Sequence, residues 1–258
     1  MTLSLYDMHV HLDFMRDPEK IAAEAAASGL GLFAVTVTPR EFQQIHHKLN
    51  FASNVQTGVG LHPWWAADGR CTMEDAALAA ELARQTRFVG EIGLDASPKH
   101  VPEDSLPIQM KCFKTLCTAC AETSNLSEPK VLSLHSVQAG TKTLDILEQT
   151  GCLQNCRCVF HWFSGSNEEL NRAIKAGCLF SVNEMMLRTR RGREYARQLP
   201  ANRLLLETDF PPGQDVSFST AEIIASLENS LRVLQTIRGT DMRETIRINS
   251  EKLFFPES

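Results

Sequence analysis

Residues 6–14 read YDMHVHLDF and place His9 and His11 two positions apart in the first apolar run of the chain. Side chains at positions i and i+2 of a β-strand point to the same face, so both imidazoles are expected on one face. An isolated H-x-H is a weak motif, because a solvated edge strand also produces it. The rest of the chain has to decide between a ligand pair and a polar edge.

Apolar runs alternate with longer amphipathic stretches along the whole chain. The eight runs cover residues 5–12, 30–38, 55–62, 88–95, 130–136, 158–163, 178–185 and 203–209. Eight strand–helix units in 258 residues predict an α/β fold, a single (β/α)8 TIM barrel in which residues 1–258 form one domain. A doubly wound open sheet would need fewer strands and usually a glycine-rich first turn, which this sequence lacks.

Charge and composition limit the classes of function. The net charge of -5 argues against nucleic-acid binding through a broad basic surface, although local phosphate contacts stay possible. The N-terminus does not have the pattern of a signal segment, and no apolar run is long enough to span a bilayer. These features predict a soluble, cytoplasmic protein that does not act at a membrane.

The eight cysteines allow two interpretations. Cys117 and Cys120 form a C-x-x-C, and residues 152–158 read CLQNCRC, so a structural zinc cluster is one interpretation. However, Cys112, Cys117 and Cys120 lie in a helical pattern, where small buried thiols are common. Buried, reduced thiols are therefore the favoured interpretation.

Histidines and carboxylates recur where the predicted strands end. In a TIM barrel the catalytic groups lie at these carboxyl ends, and the set is His9, His11, His62, Glu91, His135, His161 and Asp209. Imidazole and carboxylate ligands suit divalent metal ions, and the set is large enough for two of them. Glu91 is a candidate bridge, because the two oxygens of one carboxylate can bind two cations.

Two further carboxylates precede ligands by two residues on their strands. Asp7 precedes His9, and Glu207 precedes Asp209. Alternation along a strand predicts that both point inward, where they would orient imidazoles. The alternative is a pair of buried carboxylates without a role in metal binding.

The chain resembles the TatD family of metal-dependent deoxyribonucleases, which belong to the amidohydrolase-like TIM barrels. The matching pieces are DMHVHLD, GVGLHPW, GEIGLD, LHS, FHWFSG and LLLETD, in the order of the family and across the whole chain. Gln109 with Phe113 and the late NSEKLF also match.

The resemblance implies a role for each residue of the set. His9, His11 and Asp209 would hold one divalent ion, His135 and His161 a second, and Glu91 would bridge them. The ions would be Mg²⁺, Mn²⁺ or Zn²⁺. The catalytic residues would be Asp209, Glu91 and His62, with His62 facing the phosphate or the attacking water. The implied reaction is two-metal hydrolysis of DNA, in which Asp209 orients or deprotonates the water.

The substrate-facing segments depart from the family pattern. Trp162 stands where a small residue is usual, Val137 stands where an arginine is common, and FPPG at 210–213 replaces the usual small residue, proline and aromatic. The metal positions are thus matched while the substrate loops differ. The opening YDMHVHLDFM is similar to the QatD type of antiviral defence systems, which implies partner proteins.

The predicted barrel mouth is rich in aromatic and proline residues: Trp64, Trp65, Trp162, Phe210, Pro211, Pro212 and Gly213. Aromatic rings can stack on unpaired bases, which predicts a preference for single-stranded or frayed DNA ends. The alternative is that these rings pack inward and close the barrel. A basic cluster, Arg188, Arg190, Arg191 and Arg193, either contacts phosphates or starts a solvated helix.

Two other functions compete with a nuclease. One is a small-molecule amidohydrolase, but many of those carry a carbamylated lysine on the fourth strand, where this chain has Glu91. The other is a non-catalytic partner in a defence complex, against which the full ligand set argues.

Overall fold

Within residues 3–255, the part of the chain that the computed structural model describes, the apolar runs form parallel strands. The strands are β1 (Leu5–Val10), β2 (Leu30–Ala34), β3 (Val55–Thr57), β4 (Val59–Leu61), β5 (Phe88–Asp95), β6 (Val131–Val137), β7 (Arg157–His161), β8 (Leu179–Val182) and β9 (Leu204–Leu206).

The amphipathic stretches form the helices that connect them. These are α1 (Pro18–Ala27), α2 (Pro39–Leu49), α3 (Pro63–Ala67), α4 (Met73–Gln85), α5 (Leu106–Thr123), α6 (Gly140–Thr150), α7 (Cys152–Asn155), α8 (Asn167–Lys175), α9 (Glu184–Arg188), α10 (Arg190–Gln198), α11 (Thr220–Arg238) and α12 (Arg243–Phe254). Capping boxes start α4, α8 and α11, where a Thr or Ser side chain accepts from the backbone three residues on.

The strands pair in chain order, β1 to β3 in one sheet and β4 to β9 in a second. The chain beyond β9 returns to β1, because Asp209 N–H donates to His9 O at 2.9 Å and His11 N–H donates to Phe210 O at 2.8 Å. This arrangement of successive parallel βα units is the predicted TIM barrel.

The third apolar run departs from the prediction, because it forms two short strands, β3 and β4, instead of one. Between them the side chain of Thr36 donates to Gly58 O at 2.9 Å and accepts from Gly60 N–H at 3.0 Å. A Cβ on Gly60 would lie 1.6 Å from Thr36 O, so only glycine allows this approach. Thr36 thus takes the hydrogen bonds that would have continued a single strand.

A buried apolar cluster fills the barrel below the site. Its members come from the strands and the residues next to them, and from α12: Leu3, Tyr6, Met8, Phe33, Val35, Phe88, Val131, Val159, Leu179, Leu205, Leu253 and Phe254. A larger cluster lies between the strands and the helices. The register of pairing shifts between Asp7 and Val10 of β1, and between Val89 and Ile92 of β5. These shifts break the simple alternation of side chains at His9 and at Glu91.

All eight cysteines are free and buried, and none is more than 4% exposed. Five of them lie where α5, α7 and β7 meet: Cys117, Cys120, Cys152, Cys156 and Cys158. Among the residues that the structure describes, no thiol belongs to a converging group of metal ligands. The zinc-cluster interpretation is therefore not supported, and the cysteines pack as small apolar groups. None of the helices within residues 3–255 has the length and apolar character needed to cross a bilayer.

Candidate metal centre

A cavity of about 470 Å³ opens at the carboxyl ends of the strands. Six of the seven site residues predicted from the sequence line it: His11, His62, Glu91, His135, His161 and Asp209. The seventh, His9, is fully buried, and its ring stacks on that of His161 with centroids 4.0 Å apart. The structure therefore brings the whole predicted set together.

Glu91 lies at the centre of five imidazoles. Its Oε1 is 2.7 Å from His135 Nδ1, 2.8 Å from His161 Nε2 and 3.2 Å from His62 Nε2. Its Oε2 is 3.4 Å from Nε2 of both His9 and His11. Burial alone would raise the pKa of Glu91, but the surrounding imidazoles hold it well below its usual value. The carboxylate is therefore ionised, and each oxygen faces a different group of histidines.

The Oε2 side has the spacing of ligands around one ion. Asp209 Oδ1 lies 3.6 Å from Nε2 of both His9 and His11, and His9 Nε2 is buried without a hydrogen-bond partner among the described residues. Two ligand atoms about 2.1 Å from one tetrahedral ion lie about 3.4 Å apart. These separations are too long for good hydrogen bonds and fit ligands that share an ion.

Electrostatics distinguishes the two histidines on this side. Burial lowers the pKa of His9, and the neighbouring His161 lowers it further. Burial would also lower the pKa of His11, but Asp209 and Glu91 outweigh it and raise the value to about 10. The two carboxylates thus favour positive charge on this side of Glu91.

The Oε1 side is closed by short hydrogen bonds. Here N–H groups of His135, His161 and His62 converge on one oxygen at 2.7 to 3.2 Å. At these distances the three nitrogens donate charge-assisted hydrogen bonds to this oxygen. His161 lies between the two sides, because its ligand atom also groups with those of His9 and Asp209 within 4.8 Å.

Asp95 orients His135, and the sequence prediction missed it. Its Oδ2 accepts from His135 Nε2 at 3.0 Å and from Trp64 Nε1 at 2.7 Å. The Gln109 side chain accepts from Asp95 N–H at 2.8 Å and donates to Asp95 O at 2.9 Å. A carboxylate on the far nitrogen of a histidine fixes the ring and raises its basicity as a ligand. The sequence did offer a signal for Asp95, because it is the last residue of the GEIGLD motif and lies at the end of β5.

For Asp7 the structure supports the alternative of a buried carboxylate that does not orient an imidazole, since its oxygens bind backbone and hydroxyl groups. They accept from His9 N–H at 3.2 Å, Thr208 N–H at 3.0 Å and Thr208 Oγ1 at 2.5 Å. The register shift that follows Asp7 in β1 moves His9 out of simple alternation with it. Burial raises the pKa of Asp7 to about 7, as expected for a carboxyl group without a cationic partner.

Glu207 does lie beside an imidazole. Its Oε1 is 3.8 Å from His161 Nδ1, beyond hydrogen-bond distance. The same oxygen accepts from Trp162 N–H at 3.0 Å and from Asn183 Nδ2 at 2.8 Å. Trp162 has a positive φ of 39°, so Glu207 holds the turn that directly follows His161. His9 Nδ1, in contrast, forms a hydrogen bond with Ser133 Oγ at 2.7 Å, a partner that the sequence did not indicate.

His62 is positioned by the start of α3. Its Nδ1 accepts from Trp64 N–H at 3.1 Å, so the proton of the neutral ring lies on Nε2. Burial lowers the pKa of His62 to about 4, which keeps the ring neutral. Although Nε2 groups with ligand atoms of Glu91 and His135, this tautomer makes it a hydrogen-bond donor.

The cavity wall combines aromatic and proline side chains. Trp64, Trp65, Trp162, Pro211 and Pro212 line it, together with His100 and Val137. Phe210 packs instead against Phe218, with ring centroids 4.9 Å apart, so it does not follow the prediction for the mouth. Of the predicted arginine cluster, Arg191 reaches the rim and donates to Ser164 O at 3.4 Å, while all four arginines are exposed.

The fold has close counterparts among solved structures. The structure of YJJV, a TatD homolog from Escherichia coli K12, matches with a TM-score of 0.79 at 20% identity and covers 98% of this chain and 99% of that one. A TatD family hydrolase from Entamoeba histolytica matches with a TM-score of 0.77 at 18% identity, covering 100% of both chains. These likenesses confirm the TIM-barrel fold.

Curated relatives extend the likeness to sequence. Deoxyribonuclease TATDN3 of Homo sapiens is 26% identical over an alignment of 271 residues with gaps, which covers 98% of this chain and 95% of that protein. The 3'-5' ssDNA/RNA exonuclease TatD of Escherichia fergusonii is 29% identical over 218 residues, which cover 80% of this chain and 79% of that protein. The family model described as TatD related DNase matches residues 6–254. On this match, the chain belongs to the TatD related DNase family.

Proposed function

We propose that residues 1–258 form one catalytic domain, a deoxyribonuclease that hydrolyses phosphodiester bonds with two divalent ions, Mg²⁺, Mn²⁺ or Zn²⁺. The proposal rests on the surroundings of the two carboxylate oxygens of Glu91. Its Oε2 faces His9 and His11, and its Oε1 faces His135 and His161. A carboxylate placed in this way can bridge two ions. Membership of a DNase family supports the reaction class.

The residues that would hold the ions are His9, His11 and Asp209 on one side of Glu91, and His135 and His161 on the other. When bound, divalent ions supply positive charge to the phosphate and lower the pKa of water. The unpartnered His9 Nε2 and the ligand-like spacing around it support an ion on the first side. Two cations beside Glu91 and Asp209 leave net positive charge, which favours a phosphodiester.

Asp209 and His62 have the positions to act on water and phosphate. The side chain of Asp209 is 26% exposed and lines the cavity, so its Oδ2 can accept a proton from an attacking water. Burial would raise the pKa of Asp209, but His11 and His9 lower it, which keeps the acceptor ionised. His62 carries its proton on Nε2 and can donate a hydrogen bond to a phosphoryl oxygen.

The shape of the cavity favours an unpaired strand. Three tryptophans on its wall, Trp64, Trp65 and Trp162, can stack on bases, and such stacking contributes roughly 1–3 kcal/mol per base. Pro211 and Pro212 stiffen the same rim. The name of the Escherichia fergusonii relative, a 3'-5' ssDNA/RNA exonuclease, supports single-stranded ends as the substrate.

The experiment compares end-labelled single strands, frayed duplexes and blunt duplexes of one sequence, with each of the three metals. We expect the single strand to be cut fastest, from an end. Trp65→Ala is expected to weaken binding, while Trp65→Phe, which retains an aromatic ring, is the matched control. Equal cleavage of blunt duplex would refute the substrate preference. Hydrolysis of amides or lactones without any cleavage of DNA would favour an amidohydrolase instead.

The biological setting stays a prediction. Membership of the QatD type would imply partner proteins in an antiviral defence system and a cytoplasmic location. Phage plaque counts in cells that express the chain with its neighbouring genes, compared with Glu91→Gln, test this setting. Equal protection by both forms would instead support a non-catalytic partner.

A further inference from the structure

His100 is a histidine on the cavity wall that the predicted ligand set does not include. Its side chain is 38% exposed, whereas those of His62, His135 and His161 are at most 8% exposed. Its ring packs against Trp64 with centroids 5.0 Å apart. His100 therefore offers a titratable group to whatever enters the cavity.

Asp95 fixes the orientation of this ring. Asp95 Oδ2 lies 3.0 Å from His100 Nδ1, and the same oxygen accepts from Trp64 and His135. Asp95 Oδ1 accepts from Ser97 N–H at 2.8 Å. Burial would raise the pKa of Asp95, but the hydrogen bonds from His135 and Trp64 lower it to about 2, so the carboxylate stays ionised.

The second nitrogen of His100 is the available one. Because Nδ1–H donates to Asp95, a proton given up by the ring must leave from Nε2, which no described residue contacts by a hydrogen bond. A carboxylate that accepts from Nδ1 fixes the orientation and the tautomer of the ring.

His100 and Asp209 lie at opposite ends of one string of contacts. Asp209 meets His9 and His11, which face Glu91 Oε2. On the other side, Glu91 Oε1 meets His135, which meets Asp95, which in turn meets His100. In-line displacement at phosphorus needs the attacking and the leaving oxygen on opposite sides. Asp209 and His100 both line the cavity and are separated by this series of contacts, so they can act on different oxygens of a phosphodiester that enters it.

We propose that His100 is the general acid that protonates the leaving oxygen during phosphodiester hydrolysis. Water oxygen forms a bond to phosphorus, and its proton passes to Asp209 Oδ2. The bond from phosphorus to the leaving oxygen breaks, its electron pair stays on that oxygen, and the oxygen takes the proton of His100 Nε2. Exchange with solvent then returns a proton to His100 and removes one from Asp209. This assignment rests on the phosphodiesterase function proposed above.

The test uses two substrates that differ in how much the leaving oxygen needs a proton. The leaving group of a single-stranded oligonucleotide is a strongly basic sugar alkoxide. The leaving group of thymidine 5'-(p-nitrophenyl phosphate) is a stable phenolate. We expect His100→Ala and His100→Gln to slow oligonucleotide cleavage by about 10²–10⁴-fold, the usual contribution of a general acid. Release of p-nitrophenolate should fall less than about threefold, because a leaving group that needs no proton gains little from a general acid. Equal losses on both substrates would overturn the assignment.

Measurements without turnover separate this role from a structural one. Metal content and binding of an uncleavable phosphorothioate strand should be the same in wild type, His100→Gln and the exposed control His47→Ala. Loss of metal or of strand binding in His100→Gln would show that His100 acts by supporting Asp95 and His135, which contradicts the proposal. A wild type that hydrolyses neither substrate would overturn the proposed function together with the general acid.

Discussion

The two oxygens of Glu91 have different surroundings, although they belong to one carboxylate. On the Oε2 side, the nitrogens of His9 and His11 lie 3.4 Å away, and His9 Nε2 lacks a hydrogen-bond partner among the described residues. On the Oε1 side, His135 and His161 donate at 2.7 and 2.8 Å. The first side has the spacing of an ion-binding site, and the second is closed by hydrogen bonds.

Because of this difference, we expect two bound ions to have unequal affinities. An ion on the Oε1 side has to replace charge-assisted hydrogen bonds, each of which contributes about 1.5–3 kcal/mol. An ion on the Oε2 side replaces contacts that are longer than hydrogen bonds. The net loss of one such hydrogen bond would weaken the affinity of the Oε1 side by roughly 10- to 100-fold, since 1.4 kcal/mol corresponds to a factor of ten.

Replacing Glu91 removes both sides and has the largest expected effect. We expect Glu91→Gln to lose both ions and to reduce kcat by at least about 10³-fold, which corresponds to roughly 4 kcal/mol. Metal analysis and cleavage of a labelled single strand measure the two losses. Cleavage by the metal-depleted variant at the wild-type rate would exclude a bridge at Glu91.

Two single-ligand variants separate the sides. His9→Ala should abolish the tighter step in a calorimetric titration with Mn²⁺, whereas His135→Ala should keep that step and lose the weaker one, because each histidine faces its own oxygen of Glu91. If both variants lose the same step, the two sides are not separate sites and the comparison fails.

Asp95→Asn is expected to change metal affinity on the Oε1 side of Glu91 through His135. Loss of a carboxylate that orients a ligand usually weakens metal affinity by about 10–100-fold, and Asp95 contacts only His135 among the ligands proposed here. We therefore expect the weaker step to shift while the tighter one stays. Asp7→Asn, at a carboxyl group that binds backbone near His9, is the matched control and should shift neither step.

Substitutions in the arginine cluster at the rim are expected to have the smallest effect, which is on DNA binding. Arg190→Ala combined with Arg191→Ala should reduce the slope of log affinity for single-stranded DNA against log salt by about 0.7 per lost phosphate contact. Lys111→Ala with Lys114→Ala on the exposed face of α5 is the control pair. A slope that stays the same in both pairs would assign the cluster to a solvated helix start.

The fold and the convergence of the seven site residues could be predicted, because both follow from local patterns. Apolar runs marked the strands, and the rule that barrel chemistry lies at strand ends selected the seven site residues. The split of the third run could not be foreseen, because it depends on contacts of Thr36, two residues after β2, with Gly58 and Gly60.

The errors at the site have the same origin in contacts distant along the chain. Alternation misplaced Asp7, because β1 changes register before His9. Ser133, Asp95 and His100 were missed, because only the folded chain shows that they reach His9, His135 and Asp95. A motif identifies the residues that bind an ion more readily than those that hold them in place.

Because all eight cysteines are buried, the rate at which their thiols are labelled reports on unfolding of the chain. A thiol reagent attacks the thiolate, and burial raises the pKa of Cys112 and Cys117 to about 11 and that of Cys71 and Cys178 to about 12. Labelling of the native protein must therefore wait for an opening motion. Mass spectrometry of partly labelled protein would show whether the α5–α7–β7 side, with five thiols, opens before the segment around Cys71.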